Sequence, residues 1–146
     1  MPAVRRTRSM ELAWKIHRWL YRTSGGRVGG RMMGMPVLLL TTTGRKTGEP
    51  RTSPLMYFPE GDACVVIASN AGEPQLPAWW LNLRADPRAT VRRGREVARV
   101  RAREAAGEER ARLWAKLIQL DRSYETYRQR TTRQLTVVLL EPARLP

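Results

Sequence analysis

From Arg95 to Glu104 small or apolar residues alternate with arginines. Ala98, Val100 and Ala102 fall on one parity, and Arg99, Arg101 and Arg103 on the other. A period of two puts alternate side chains on opposite faces of a strand, so this stretch is a half-buried strand with a wet arginine face. Such a strand needs a hydrogen-bonded neighbour. The chain supplies one directly before it, Ala89–Arg93, across a turn at Gly94.

The same reading extends to the rest of the chain. Val37–Thr43, Arg51–Phe58 and Ala63–Ser69 are strand-like runs, the last two joined by a turn at Glu60-Gly61-Asp62, and Leu135–Leu140 is a final strand. Helical spacing appears three times. From Ser9, Leu12, Ile16, Trp19 and Leu20 form one apolar stripe. Pro77 opens a short helix over Ala78–Ala85, which Asp86-Pro87 stops and which sets Trp79 and Asn82 on one face. A longer helix over Glu108–Leu120 has acidic residues in its first turn and Leu113, Leu117 and Leu120 in register. Short hairpins between strands point to a mainly β, α+β fold, a small barrel of about six antiparallel strands with an N-terminal helix and two further helices. Residues 1–35 read as a basic arm and amphipathic helix, and 36–146 as the barrel domain.

With 146 residues the chain suits one domain. Its net charge of +14 admits nucleic acid, an anionic membrane or a polyanionic ligand as partner. Lys15, Lys46 and Lys116 are its only lysines, so an arginine-rich composition explains much of that charge. Against nucleic acid, few aromatics lie outside the tryptophan helices. For residues 9–22 the favoured role is covering one end of the sheet; contact with an anionic membrane surface is the second reading. No signal peptide or membrane span is evident, which makes the cytoplasm the expected location. Cys64 is the only cysteine and reads as a buried small hydrophobe. A single histidine, His17, leaves no multi-histidine metal site, and its place on the amphipathic helix speaks against a His-based triad; no metal is expected. If the protein is an enzyme, a cofactor supplies its reactivity.

Four small constellations remain. In the turn Thr41-Thr42-Thr43-Gly44-Arg45-Lys46-Thr47-Gly48-Glu49-Pro50-Arg51, two glycines bracket an Arg-Lys pair. Such a turn brings backbone N–H groups close to an anion while Arg45, Lys46 and Arg51 add charge-assisted donors. It is not a P-loop, because a strand and not a helix follows. Ser69-Asn70-Ala71-Gly72 ends an apolar strand with small polar groups. Trp79 and Asn82 offer an aromatic wall and an amide. Ser123-Tyr124-Glu125-Thr126-Tyr127 places two phenols three apart.

In this order, Thr42-Thr43-Gly44-Arg45-Lys46-Thr47-Gly48, Pro54-Leu55-Met56-Tyr57, Ala68-Ser69-Asn70, Trp79-Trp80-Leu81-Asn82-Leu83 and Ser123-Tyr124-x-x-Tyr127 resemble the deazaflavin-dependent nitroreductase and quinone reductase family. These reductases use coenzyme F420, an 8-hydroxy-5-deazaflavin, on a split β-barrel related to flavin-mononucleotide-binding oxidoreductases. The resemblance implies hydride transfer from reduced F420 to a quinone or nitro compound. It implies that Arg45, Lys46, Thr47 and Arg51 hold the phosphate and acidic tail, and that Pro54, Leu55 and Met56 line the ring. Ser69, Asn70 and Ala71 would lie near its reacting edge, and Trp79 and Asn82 would complete the pocket. Ser69, Tyr124 and Tyr127 are the implied catalytic hydroxyls. Nitroreductase members often carry Tyr at the position of Met56 and Lys at that of Asn70. A homodimer is also in keeping with split barrels. The rival readings are a split barrel that binds flavin mononucleotide (FMN) instead, and a basic nucleic-acid-binding protein.

Overall fold

The computed structural model describes residues 31–32, 35–69, 75–130 and 135–143. The helix expected over residues 9–22, with Asn70 and Ala71, lies outside them. Within the described residues eight strands run in order: β1 (Arg31–Met32), β2 (Met35–Thr43), β3 (Pro50–Met56), β4 (Phe58–Glu60), β5 (Ala63–Ala68), β6 (Arg88–Arg93), β7 (Glu96–Glu104) and β8 (Thr136–Pro142). Among the described residues three helices join them, α1 (Ala78–Ala85), α2 (Gly107–Leu120) and α3 (Ser123–Arg130). All strand pairings are antiparallel. Excluding the short β1 and β4, the strands number six, as the alternation predicts.

The barrel closes through one bent strand. Hydrogen-bonded neighbours run β2-β6-β7-β8-β5-β4, while β3 pairs with the free side of β2. Since β4 resumes one residue after β3 ends, the segment Pro50–Glu60 pairs with β2 at one end and β5 at the other. The sequence predicts one continuous strand here. The break at Tyr57, whose N–H donates to Pro36 O at 3.1 Å, marks where the ladder changes partner. Pro50, Pro54 and Pro59 all fall on β3 or β4, where a strand edge without a ladder partner tolerates a missing donor.

Strand alternation separates two apolar layers. Leu38, Leu40, Val66, Val91, Val100, Val138 and Leu140 point into the barrel, where Trp79, Trp80 and Leu83 of α1 plug it. Val65, Ile67, Val137 and Leu139 point outward and are covered by Leu113 and Leu117 of α2 and Tyr124 of α3. With both faces covered, β5 is buried throughout, and its sequence is accordingly an unbroken apolar run. On β7 the outer face keeps its arginines in water as expected. Arg103 there reaches Glu109 of α2 and Glu141 of β8, tying three elements together. Leu120 departs from the predicted stripe. At the last position of α2 it is 51% exposed, while Trp114 and Ile118 pack half-buried against the layer. Among the described residues, no helix is long and apolar enough to cross a membrane.

Candidate functional site

The Gly44–Glu49 turn is built largely by its own backbone. β2 and β3 pair as far as Thr43 and Pro50. Beyond them Gly44 N–H donates to Glu49 O at 2.8 Å, Gly48 N–H to Gly44 O at 2.7 Å, and Glu49 N–H to Thr47 Oγ1 at 3.2 Å. Gly44 is required by close approach: a Cβ there would lie 3.0 Å from Glu49 O and 3.1 Å from Thr47 Oγ1. Arg45 N–H donates outside the turn, to Asn82 Oδ1 at 3.2 Å. The amides of Gly44, Arg45, Gly48 and Glu49 are thus engaged within the protein. Anion recognition by this turn therefore falls chiefly to its side chains, not to the amide cradle that the glycine spacing suggests.

α1 presents the facing wall. Pro77 at its N-cap, φ −64°, pre-sets the first turn, and Asp86 N–H closes the last on Asn82 O. Trp79 and Asn82 are both turned inward, as the spacing of three predicts, and Trp79 meets Trp80 edge to face at 6.5 Å. Asn82, 4% exposed in an apolar interior, has both polar atoms of its amide hydrogen-bonded. Its Oδ1 accepts from both Arg45 N–H and Arg45 Nη1, each at 3.2 Å, and its Nδ2 donates to buried Thr42 Oγ1 at 3.1 Å.

Between turn and helix lies a cleft of about 550 Å³. Arg45, Lys46, Thr47 and Arg51 line one side, Ala78, Trp79 and Asn82 the other, and Thr52 and Ser53 of β3 continue the floor. Arg45, Lys46 and Arg51 are exposed, and among the described residues none forms an ion pair. Some cations elsewhere do find acids: Arg88 pairs with Asp86, and Arg112 and Lys116 share Glu60. Three unpaired cations converging on a concave surface beside an indole make a site for an anionic ligand with an apolar part.

Six of the residues expected at a binding site therefore meet at one cleft: Arg45, Lys46, Thr47, Arg51, Trp79 and Asn82. Others lie elsewhere. The strand period divides the trio after Ser53. Leu55 packs with the Trp79 layer, Met56 packs with Val37, Leu39 and Phe58 on the opposite side, and Pro54 is buried. Neighbouring strand residues point to opposite faces, which is why Leu55 and Met56 part here. Ser69 follows β5, half-buried. Tyr124, 4% exposed, sits in the outer apolar layer with Leu113, Leu117 and Leu135 and is not among the residues lining the cleft. Tyr127 belongs to α3, and its side chain is outside the described residues. The cleft also includes Ser53, which the sequence reading passed over. Alternation counted from Arg51 would have found it, since Arg51, Ser53 and Leu55 share a parity.

Comparison with known proteins follows the same lines. A family model described as F420H(2)-dependent quinone reductase matches residues 13–142. The F420H(2)-dependent quinone reductase of Mycobacterium tuberculosis (strain ATCC 25618 / H37Rv) is 38% identical over 130 residues, covering 86% of this chain and 87% of that protein. Among solved structures, the F420-H2 dependent reductase FDR-A is 36% identical with a TM-score of 0.67, over 73% of this chain and 94% of that one. Another, described as a domain-swapped dimer, is 31% identical with a TM-score of 0.69, over 92% of this chain and all of that one.

Proposed function

The chain belongs to the F420H(2)-dependent quinone reductase family, and we propose that it reduces a quinone with hydride from reduced coenzyme F420 bound across the cleft. The observation that carries this reading is the group of unpaired cations, Arg45, Lys46 and Arg51, opposite Trp79. A phosphate and acidic tail need charge-assisted donors, and these three side chains supply them without breaking an ion pair among the described residues. Thr47, whose hydroxyl oxygen already accepts from Glu49 N–H, has its O–H left to donate. When bound, the deazaflavin ring supplies the hydride.

Trp79 and the β3 wall would orient the ring. From Arg51 the strand continues through Ser53 to Leu55 on one parity, so the ring is proposed to extend along this side, with Pro54 and Met56 backing the strand from the other. Ser69, Asn70 and Ala71, at and beyond the end of β5, are proposed to complete its far edge. For the reduced acceptor's oxygen, Ser69 is the proposed proton donor, ahead of the enclosed Tyr124 and of Tyr127. The protein contributes orientation and exclusion of water. Nitro compounds are proposed as secondary acceptors, and a homodimer as the working assembly.

The test is fluorescence titration of the purified protein with F420 and, separately, with FMN, followed by oxidation of reduced F420 on adding a soluble quinone. Expected results are binding of F420 in preference to FMN, its loss in the Arg45→Ala/Lys46→Ala double variant, and quinone-dependent turnover. Preference for FMN, or undiminished F420 binding by the double variant, overturns the assignment.

A further inference from the structure

Asn82 lines the cleft, yet both polar atoms of its amide are already hydrogen-bonded inside the protein. Its carbonyl oxygen accepts from the backbone and the guanidinium of Arg45, and its NH₂ donates to Thr42 Oγ1. The two partners lie 37 and 40 residues away in sequence, one in the turn and one on β2, while Asn82 itself rides on α1. Thr42 is 1% exposed, so the far end of this chain is fixed in the core. The near end holds a long, exposed, flexible side chain at two points, its main-chain N–H and one terminal nitrogen. An arginine held in this way keeps its remaining guanidinium donors aimed in one direction, and the entropy of ordering it is lost on folding instead of on ligand binding.

We propose that Asn82 is a positioning residue: it makes no direct bond to the anionic ligand and acts by presenting Arg45 to it, as the middle of a Thr42–Asn82–Arg45 relay. This rests on the reading of the cleft as an F420 site, and it makes Asn82 a determinant of affinity through a neighbour. An asparagine suits the position better than a carboxylate of similar shape. Aspartate would also accept from Arg45, but it could not donate to Thr42, and its charge would neutralise the cation it is meant to present.

A double-mutant cycle on F420 affinity decides the matter. Arg45→Ala is expected to weaken binding at least about tenfold, as loss of a charge-assisted bond does. Asn82→Ala should weaken it several-fold, and the double variant should bind no worse than Arg45→Ala alone, because Asn82 has nothing left to position. The salt dependence of binding should also flatten in Asn82→Ala towards that of Arg45→Ala, which mere loosening of the fold would not do. In coenzyme-free protein, amide exchange at Arg45 should speed up in Asn82→Ala. If Asn82→Ala does not fold, Thr42→Val keeps the core volume and removes only the far anchor. It should give a smaller loss that is again absent on the Arg45→Ala background. Losses that add across the cycle, in either form, overturn the proposal while leaving the F420 site intact. Unaltered protein that fails to bind F420 at all overturns the functional reading, and this inference with it.

Discussion

Replacing Gly44 by alanine should open the turn. The added Cβ would lie 3.0 Å from Glu49 O, 3.1 Å from Thr47 Oγ1 and 3.5 Å from Arg51 Cγ. Thr47 could rotate away, but the Glu49 carbonyl is main chain and is held in place by Gly44 N–H itself at 2.8 Å. Relieving the clash therefore stretches the bond that closes the base of the turn. Overpacking of this kind costs about 1–3 kcal/mol, and the weakened hydrogen bond adds about 1 kcal/mol. The displacement falls on Arg45, the next residue, and should carry its guanidinium off Asn82. Urea unfolding of Gly44→Ala should show a loss of about 2–4 kcal/mol, with F420 affinity reduced alongside it. Gly48→Ala is the control. Its φ of +74° is strained for alanine, but nothing lies within 4 Å of the new Cβ. Its cost should be about 1–2 kcal/mol of backbone strain, without a clash to push Arg45 aside. If Gly44→Ala stays within about 0.5 kcal/mol of the parent and binds F420 equally well, the close-approach reasoning is wrong.

Leu113→Ala removes a fully enclosed side chain from the layer between α2 and the sheet, at 0% exposure. It should cost about 2–5 kcal/mol in chemical denaturation, while the folded fraction keeps its F420 affinity, since the cleft lies on the other side of the barrel wall. Burial raises the Cys64 thiol pKa, and the Arg93 guanidinium 3.7 Å from Sγ only partly opposes this. The native protein should resist a thiol reagent at mildly alkaline pH and titrate fully once unfolded; rapid native labelling would contradict the packing. The hydrogen bond from Arg103 holds Glu109 below its ordinary value of 4.5. A carboxylate pKa depressed by folding stabilises at pH values above the unfolded value, and that contribution is lost as pH falls through the folded one. For a largely solvated pair it is at most about 1 kcal/mol. Glu109→Gln should therefore lower Tm slightly at neutral pH and leave it unchanged in strong acid.

What the sequence determined alone are the features that neighbouring residues decide. The alternation through Ala98, Val100 and Ala102, the turn at Gly94 and the helix between Pro77 and Asp86 depend on backbone preference and side-chain period over a few residues. The arginine-lysine turn and its tryptophan partner were legible for the same reason, as compact motifs. Tertiary structure alone decided which groups meet. Tyr57 interrupts a run that reads as one strand because the barrel must close there, and closure is a property of the whole circuit of strands. Leu55 and Met56 are adjacent in sequence yet face different layers, and what those layers contain depends on where α1 and α2 dock. Tyr124 went into the outer layer because α3 lies beside α2 over the β5–β8 face. Asn82 could be read as a cleft residue but not as the partner of Arg45 and Thr42, since a hydrogen bond across some forty positions leaves no periodic trace in the chain. Local rules act through adjacency, whereas these contacts exist only once the barrel has brought distant strands together.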